Sequence, residues 1–268
     1  MLTSEQIKEA SKRLFEAERT GKQTGLLSHT YPDMTLDDAY AVQAALVQCK
    51  LDAGARITGR KIGLTSKTMQ RALNIETPDS GVLLDDMHFD NASTIAATRF
   101  IEPRVEAEIA FVMGEALSGS SVTREQVLAA TQSVAPSLEI LDTRILRNDP
   151  ETGRPRIIVD TVSDNAANAG LVLGDAQHAV DAFDLRTVGA IVKRDGVVEE
   201  TGLGAGVLDD PVTSVVWLVQ RLAQYGDGLA AGDVVLSGSF VRPIEAPPGS
   251  RFEADFGAFG SVTIDFAK

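Results

Sequence analysis

Two glutamates separated by a single residue are the first feature of this sequence that could carry chemistry. Glu106 and Glu108 lie in the segment 104–113, where apolar and polar residues alternate, and this predicts a strand with both carboxylates on one face. Their backbone positions would be roughly 7 Å apart, close enough for the side chains to converge on one ion. Because two buried acids repel each other, a hard divalent cation is the expected partner.

A third glutamate strengthens this interpretation. An isolated Glu-x-Glu pattern is more often a solvated strand face. Glu139, however, lies within the apolar segment 137–141, whose neighbours indicate burial, and a buried charge requires a partner. A ligand set of oxygen atoms favours Mg²⁺, with Mn²⁺ also suitable, whereas zinc prefers His or Cys and the chain has only three His. Glu106, Glu108 and Glu139 are therefore the predicted metal ligands.

The elements that must position these residues follow from periodicity and from start and stop signals. Helices are predicted over residues 3–21, 35–54 and 210–226, from Thr123 onward, and briefly at 68–73. The longer helix over 35–54 is predicted to bury Ala39, Val42, Leu46 and Cys49. Strands are predicted before Ile62 and over 104–113, 134–141, 188–193, 197–201, 252–256 and 262–266, with a turn at 78–81 and a hairpin at Asp195-Gly196.

Helices concentrated early and short strands later, without regular βαβ alternation, are typical of an α+β fold. No G-x-G-x-x-G follows a strand and no G-x-x-x-x-G-K-[ST] occurs, so dinucleotide and P-loop sites have no support. The chemistry must therefore come from the carboxylates.

The composition disfavours several classes of partner. The formal net charge of -13 would repel a nucleic-acid backbone. No segment approaches the roughly 18 uninterrupted apolar residues that span a bilayer. Cys49 is the single cysteine, and the first residues lack the order of a signal peptide. We therefore expect a cytoplasmic protein that binds neither nucleic acid nor membrane.

Short strings spread over nearly the whole chain resemble one known family. They are Gly63–Lys67, Pro103–Glu108, Leu138–Asp142 and Ser163–Ala167, together with Asp38–Gln43, Leu83–Met87, Glu199–Gly202 and Gly238–Phe240. On these strings the sequence resembles the hydratase/decarboxylase branch of the fumarylacetoacetate-hydrolase-like superfamily. Because the similarity is so broad, a chance match is disfavoured.

The resemblance implies a mixed β-roll like the C-terminal domain of fumarylacetoacetate hydrolase over residues 76–268, and an α-rich N-terminal subdomain over 1–75. It also implies a homo-oligomer, a decamer, with Mg²⁺ on the three glutamates. The implied substrate is an unsaturated 2-oxo dicarboxylate that chelates the metal. The expected reaction adds water to a 2-oxo-heptenedioate, the tautomer of 2-hydroxyhepta-2,4-dienedioate, in aromatic (homoprotocatechuate) catabolism, where adjacent pathway enzymes could associate.

The resemblance also implies roles for single residues beside the metal. Lys61 and Asp79 are the expected proton donor and acceptor, and Ser163, Ser239 and Leu73 are expected to contact the substrate. By pattern alone, Lys61 could be an exposed strand lysine, Asp79 and Ser163 turn residues, and Ser239 part of a strand-end turn.

Other activities stay open at this point. Within the same branch they are a 4-oxalocrotonate (2-oxo-3-hexenedioate) decarboxylase and a 2-hydroxypenta-2,4-dienoate hydratase. An acylpyruvate hydrolase would need a His beside the metal, and none of the three His lies in a metal-site string. A non-catalytic subunit is a further alternative. Arg144 and Arg242 could bind a second substrate carboxylate, although surface ion pairs explain them equally well.

Overall fold

The computed structural model describes residues 1–73, 75 and 77–268, without the side chains of residues 69, 72 and 73. The helices are α1 (Ser4–Thr20), α2 (Leu27–Thr30), α3 (Leu36–Asp52), α4 (Lys67–Leu73), α5 (Arg124–Ala130), α6 (Ile158–Ser163) and α7 (Pro211–Ala223). The strands are β1 (Ile57–Gly63), β2 (Asp79–Leu84), β3 (His88–Phe89), β4 (Thr94–Ile95), β5 (Arg104–Met113), β6 (Thr131–Leu141), β7 (Asn168–Leu173), β8 (Gly189–Arg194), β9 (Val197–Leu203), β10 (Val234–Ser239), β11 (Ile244–Glu245), β12 (Arg251–Asp255) and β13 (Ser261–Phe266).

The predicted helix starts are confirmed by the hydrogen bonds that cap them. Thr3, Thr35 and Thr123 each form a capping box with the residue three positions later. Asp210 caps α7, and Pro211 occupies its first turn, where a missing N–H costs nothing. These starts are local features, because each depends on residues within one turn of the chain.

A helical layer forms from α1, α2, α3 and α6, which share one apolar cluster. Its buried members include Leu14, Leu27, Leu46 and Val162. The sequence patterns do not predict the short helix α6. It ends at Ser163, which by pattern alone could be a turn residue. Cys49 is half-buried rather than fully buried as expected. The layer therefore combines the N-terminal helices with a segment from much later in the chain.

The larger sheet has the strand order β2-β1-β10-β5-β6-β7-β3, with β11 paired to β5. Its centre is antiparallel, whereas β1 pairs with β10 in parallel. The sheet therefore includes β1, which belongs to the segment 1–75, and the division of the chain at residue 75 stays a prediction.

A smaller sheet, in the order β4-β13-β12-β8-β9, packs against the larger one. The predicted hairpin at Asp195-Gly196 joins β8 to β9, and both turn residues have positive φ angles, as this turn requires. The tail strands β12 and β13 bury the apolar side chains that alternation predicted.

The main core lies between the two sheets, and β5 shows how it is built. Val105, Ala107, Ile109, Phe111 and Met113 all point into this core, as predicted. The alternate positions on β5 therefore lie on the opposite face of the sheet, where Ala110 joins a separate apolar cluster. Glu106 and Glu108 share that opposite face. The overall fold is α+β with a curled mixed sheet, as expected.

Among the residues that the structure describes, no helix combines the length and apolar character needed to cross a membrane.

The helical layer depends on side chains such as Leu14, which is fully buried. Replacing Leu14 by Ala is expected to lower the free energy of unfolding by about 2–5 kcal/mol, since the substitution leaves a cavity. Urea denaturation measures this change. Leu203→Ala is the control, because Leu203 is 56% exposed and its loss should cost no more than about 0.5 kcal/mol. Equal effects of the two substitutions would contradict this packing.

Candidate active site

The three predicted ligands meet on the two central strands of the larger sheet. Glu106 on β5 lies directly opposite Glu139 on β6 in the antiparallel register. Glu108, two residues along β5, pairs with Ser137 on β6 and with Ser239 on β10. One carboxylate oxygen from each glutamate lies within 4.8 Å of the other two. The strand register therefore gathers the three acids at one point.

Two of the three glutamates are fully buried, and the third is partly exposed. Glu108 and Glu139 are 1% and 0% exposed, and Glu106 is half-buried. Oε1 of Glu108 and Oε2 of Glu139 are buried without a hydrogen-bond partner among the described residues. A buried carboxylate oxygen without a partner is costly. Because the donor set consists of oxygen atoms, it fits a hard divalent cation such as Mg²⁺ or Mn²⁺.

The remaining oxygens of the buried pair are held by the fold itself. Glu108 Oε2 accepts a hydrogen bond of 2.7 Å from the N–H of Gly238. Gly238 has a φ of +112°, and a Cβ there would lie 2.4 Å from Thr65, so the position requires glycine. Glu139 Oε1 accepts 2.7 Å from Nδ2 of Asn168. These bonds aim the free oxygens of Glu108 and Glu139 at the common point.

Lys61 on β1 and Asp79 on β2 lie beside the triad, although β10 separates these two strands from β5 in the sheet order. Nζ of Lys61 is 3.3 Å from Oε1 of Glu139. Gly63 is opposite Asp79 in the register of β1 and β2. A Cβ at Gly63 would lie 2.2 Å from Asp79 Oδ1 and 3.0 Å from Lys61 Nζ, so glycine leaves the space in which these two groups face each other.

The prediction of a turn at residues 78–81 is wrong. Asp79 begins β2, and the strand pairs with β1 through Leu84. The composition Pro-Asp-Ser-Gly resembles a turn, but pairing with β1 overrides that local preference. Likewise, Lys61 is 3% exposed, which overturns the alternative of an exposed strand lysine.

Burial and charge shift the protonation of these groups. Burial, with the charge of Glu139, raises the pKa of Glu106 to about 8. The same causes, together with Glu106, raise the pKa of Glu108 well above its usual value. Burial also raises the pKa of Asp79, although Lys61 opposes this. Burial would lower the pKa of Lys61, but the charges of Glu139 and Asp79 outweigh it and raise the pKa.

The expected substrate contacts are found in different settings. Ser163 ends α6; it is fully buried, and its hydroxyl has no hydrogen-bond partner in the part of the chain described. Ser239 donates a hydrogen bond of 2.8 Å to the carbonyl of Val241 and lines a cavity beside Glu106. Leu73 is the last residue of α4, and its side chain lies outside the described residues.

A cavity of about 280 Å³ opens next to Glu106. Ser239, Glu200 and Arg242 are part of its lining, and Arg242 forms an ion pair with Glu200. The other arginine considered from the sequence is not at a surface. Arg144 is buried and bonded to Asp164, so neither a surface ion pair nor a free carboxylate-binding group describes it.

Two residues that hold the site were missed by sequence reasoning. Gly238 belongs to a string that the family resemblance singled out, and a glycine at the end of an apolar strand is a usable signal of a special backbone position. Asn168 carries no such signal, because its bond to Glu139 depends on the pairing of β6 with β7. Its carbonyl also accepts a hydrogen bond from Arg144.

The raised pKa of Glu106 predicts how stability depends on pH when metal is removed by a chelator. The folded pKa of about 8 exceeds the ordinary 4.5, so the folded state binds the proton more tightly. Its contribution to stability is therefore complete below pH 4.5 and is lost as the pH rises through about 8. Urea unfolding over this range is expected to show a smaller decline for Glu106→Gln than for the wild type. An identical decline in the two proteins would contradict the shift.

A second prediction concerns metal affinity. Glu106→Gln is expected to weaken Mg²⁺ binding at least tenfold, since even partners of metal ligands contribute about 10–100-fold. Isothermal titration calorimetry measures the affinity. Glu115→Gln is the matched control, because Glu115 is exposed just after β5 and should leave the affinity unchanged. Equal affinity of both variants would exclude Glu106 as a ligand.

Comparisons with known proteins show the family to which this chain belongs. The family described as fumarylacetoacetate (FAA) hydrolase C-terminal matches residues 62–266. The chain is 47% identical over 256 residues to 2-oxo-hept-4-ene-1,7-dioate hydratase of Escherichia coli, with 96% of each chain covered. It is 40% identical over 265 residues to 2-keto-4-pentenoate hydratase of Paraburkholderia xenovorans (strain LB400), covering 99% of this chain and 96% of that one.

A solved structure is also similar over the whole chain. It is 4-oxalocrotonate decarboxylase from Pseudomonas putida G7, complexed with magnesium and adipate, with a TM-score of 0.93, 30% identity and 99% of both chains covered. The expected fold and branch are thereby confirmed, and the alternative of a non-catalytic subunit is not supported. This chain therefore belongs to the fumarylacetoacetate hydrolase family, in its hydratase and decarboxylase branch, and is an enzyme of the lyase class.

Proposed function

We propose that this enzyme adds water to 2-oxo-heptenedioate, the tautomer of 2-hydroxyhepta-2,4-dienedioate, to give 4-hydroxy-2-oxoheptanedioate. The observation that carries the proposal is the triad of Glu106, Glu108 and Glu139, gathered in a largely buried site beside Lys61 and Asp79. The 47% identity to a hydratase of this substrate class supports the choice of reaction.

We propose Mg²⁺ as the cofactor, with Mn²⁺ as a substitute, held by the three glutamates. The oxygen-only donor set and the unpartnered oxygens of Glu108 and Glu139 support a divalent cation, and the related decarboxylase is complexed with magnesium. When bound, such an ion supplies Lewis acidity, which draws electron density from the 2-oxo group of a substrate.

Lys61 serves in this proposal as a fixed positive charge. Its raised pKa keeps the ammonium group protonated at neutral pH. At 3.3 Å from Glu139 and beside Asp79, it offsets negative charge that burial would otherwise make costly. The protonated ammonium group can also act as the proton donor expected of Lys61.

Asp79 is the proposed proton carrier. The reaction first moves a double bond: a proton leaves the 2-hydroxyl group and another is added at carbon 5. Water then adds at carbon 4 and a proton at carbon 3. A carboxyl group whose pKa is raised by burial holds a proton more readily than an exposed one does, which suits these transfers. Lys61 limits the shift, because its charge favours the carboxylate.

The cavity beside Glu106 supports a substrate with a second carboxylate. Arg242 lines it, and its guanidinium bonds to Glu200 through one nitrogen, so its remaining N–H groups can bond to a substrate carboxylate. Ser239 shares this cavity. We propose Arg242 for the far carboxylate and Ser239 as a contact, and Ser163 as a further contact because its buried hydroxyl is unpartnered within the described chain.

A second candidate reaction is decarboxylation of 4-oxalocrotonate. The observation that favours it is the similarity over 99% of the chain to a decarboxylase complexed with adipate, a six-carbon dicarboxylate. Hydration of 2-hydroxypenta-2,4-dienoate is supported by the 40% identity to 2-keto-4-pentenoate hydratase. These reactions use related 2-oxo acids and differ in chain length and in the bond that changes.

The oligomeric state, the location, the pathway and the partner enzymes stay predictions drawn from the family resemblance. These are a homo-oligomer, expected to be a decamer, a cytoplasmic location, a place in aromatic catabolism and association with adjacent pathway enzymes.

Incubation with the seven-carbon, six-carbon and five-carbon dienols in Mg²⁺, followed by mass analysis of the products, tests the proposal. The seven-carbon compound is expected to gain one water, with kcat/KM at least tenfold above that of the five-carbon compound, because a lost hydrogen bond to a charged group costs about 1.5–3 kcal/mol. Loss of carbon dioxide as the main reaction would instead establish the decarboxylase. Full activity in excess chelator would refute the metal requirement.

A further inference from the structure

The strand that carries Asp79 lies at the edge of the larger sheet. β2 pairs with β1 on one side, and no other described strand covers its second side. The N–H and C=O groups along that second side need partners if they are buried. Side chains from outside the sheet supply them, so the position of Asp79 depends on residues that are not part of the strand.

Three side chains bond to this edge. The N–H of Ser80 donates to Tyr40 Oη at 3.2 Å, and the carbonyl of Ser80 accepts 2.9 Å from Gln43 Nε2. Further along, Val82 forms both of its edge bonds with the side-chain amide of Asn165, at 2.8 and 2.9 Å. Ser80 is the residue directly after Asp79, so Tyr40 and Gln43 act on the start of the strand.

Gln43 makes a second bond that gives it a special place. Its Nε2 also donates to the carbonyl of Val162, at 2.9 Å, so one amide group bonds to both carbonyls. Ser80 follows Asp79, and Val162 precedes Ser163. The side chain of Gln43 is buried and therefore bound without competition from water. A single amide thus ties the segment of the proposed proton carrier to the segment of a proposed substrate contact.

We propose that Gln43, assisted by Tyr40, is a positioning residue that sets the place of Asp79 relative to Ser163. The inference rests on the proposed function, in which Asp79 and Ser163 have their roles. It also gives a reason for the string Asp38–Gln43: Asp38 closes the cap of α3, and Tyr40 and Gln43, three residues apart, reach β2 from one face of that helix.

Packing keeps Tyr40 in this position. The guanidinium of Arg221 lies 4.6 Å from the centre of the Tyr40 ring and 4.8 Å from the centre of the Tyr225 ring. Burial and the charge of Asp79 raise the pKa of Tyr40, so its hydroxyl stays neutral. The Tyr40 hydroxyl bonds to Ser80, the residue next to Asp79, which places it near enough for the charge of Asp79 to act on its pKa.

Gln43→Met tests the proposal, because it keeps the length of the side chain and removes both donors. Misplacing a catalytic group by about 1 Å can lower the rate about 10²-fold. We therefore expect kcat to fall about 30- to 100-fold on whichever dienol the wild type converts. KM should change less than about threefold, and Mg²⁺ affinity should be unchanged, because the glutamates keep their contacts. Tyr40→Phe, which removes one hydroxyl, should lower kcat about 3- to 10-fold.

Matched controls separate positioning from loss of stability. Gln48→Met makes the same change on the exposed face of α3. Tyr225→Phe removes a hydroxyl from the other ring beside Arg221. Both controls should keep the kcat of the wild type. Gln43→Asn, which retains the donors on a shorter arm, should recover part of the activity lost in Gln43→Met.

A readout independent of turnover completes the test. Crystal structures of the wild type and Gln43→Met should show the Asp79 carboxylate displaced by about 1 Å relative to the three glutamates. A variant with wild-type kcat, or with lowered melting temperature alone and an unmoved Asp79, would overturn the proposal. If the wild type converts none of the dienols, the proposed function fails, and the displacement of Asp79 alone then decides the positioning role.

Discussion

The structure depends on one electrostatic constraint, the mutual repulsion of three carboxylates that lie within 4.8 Å of one another, two of them fully buried and one half-buried. No residue in the described part of the chain neutralises all of that charge. Lys61 contacts Glu139, Gly238 bonds to Glu108, and two carboxylate oxygens are left buried and unpartnered among the described residues. Such an arrangement is tolerable only with added protons or an added cation. This need connects the fold to a divalent ion and so to the chemistry of 2-oxo acids.

The centre of the larger sheet is the part of the fold that can impose this arrangement. β5 and β6 pair along their whole lengths, so Glu106 and Glu139 cannot move apart without breaking that ladder. One face of β5 is embedded in the core between the sheets, which prevents rotation of the strand. Two glycines then allow close approaches to the acids. Gly63 leaves space for Lys61 on β1, and Gly238 on β10 brings its backbone N–H against Glu108.

The helical layer contributes to the site indirectly. Its helices do not carry the three glutamates, yet α3 reaches the open edge of β2 through Tyr40 and Gln43. Asp79, at the start of this edge strand, would otherwise be held from one side only. The buried pair of Arg144 and Asp164 ties the segment after α6 to Asn168, whose amide bonds to Glu139.

Local patterns determined the features of this protein that depend on neighbours along the chain. Alternation places Glu106 and Glu108 on one face because successive strand residues point to opposite sides, and the capping boxes and the hairpin likewise depend on a few adjacent residues. Burial of Glu139 could be inferred from its apolar neighbours.

The tertiary structure decided everything that depends on pairing between distant segments. It set Glu139 opposite Glu106, turned an apparent turn at Asp79 into a strand, placed Ser163 at the end of a helix and buried Arg144 against Asp164. The physical reason is that strand register and burial are chosen by the packing of the whole core, which short-range preferences of the chain do not encode.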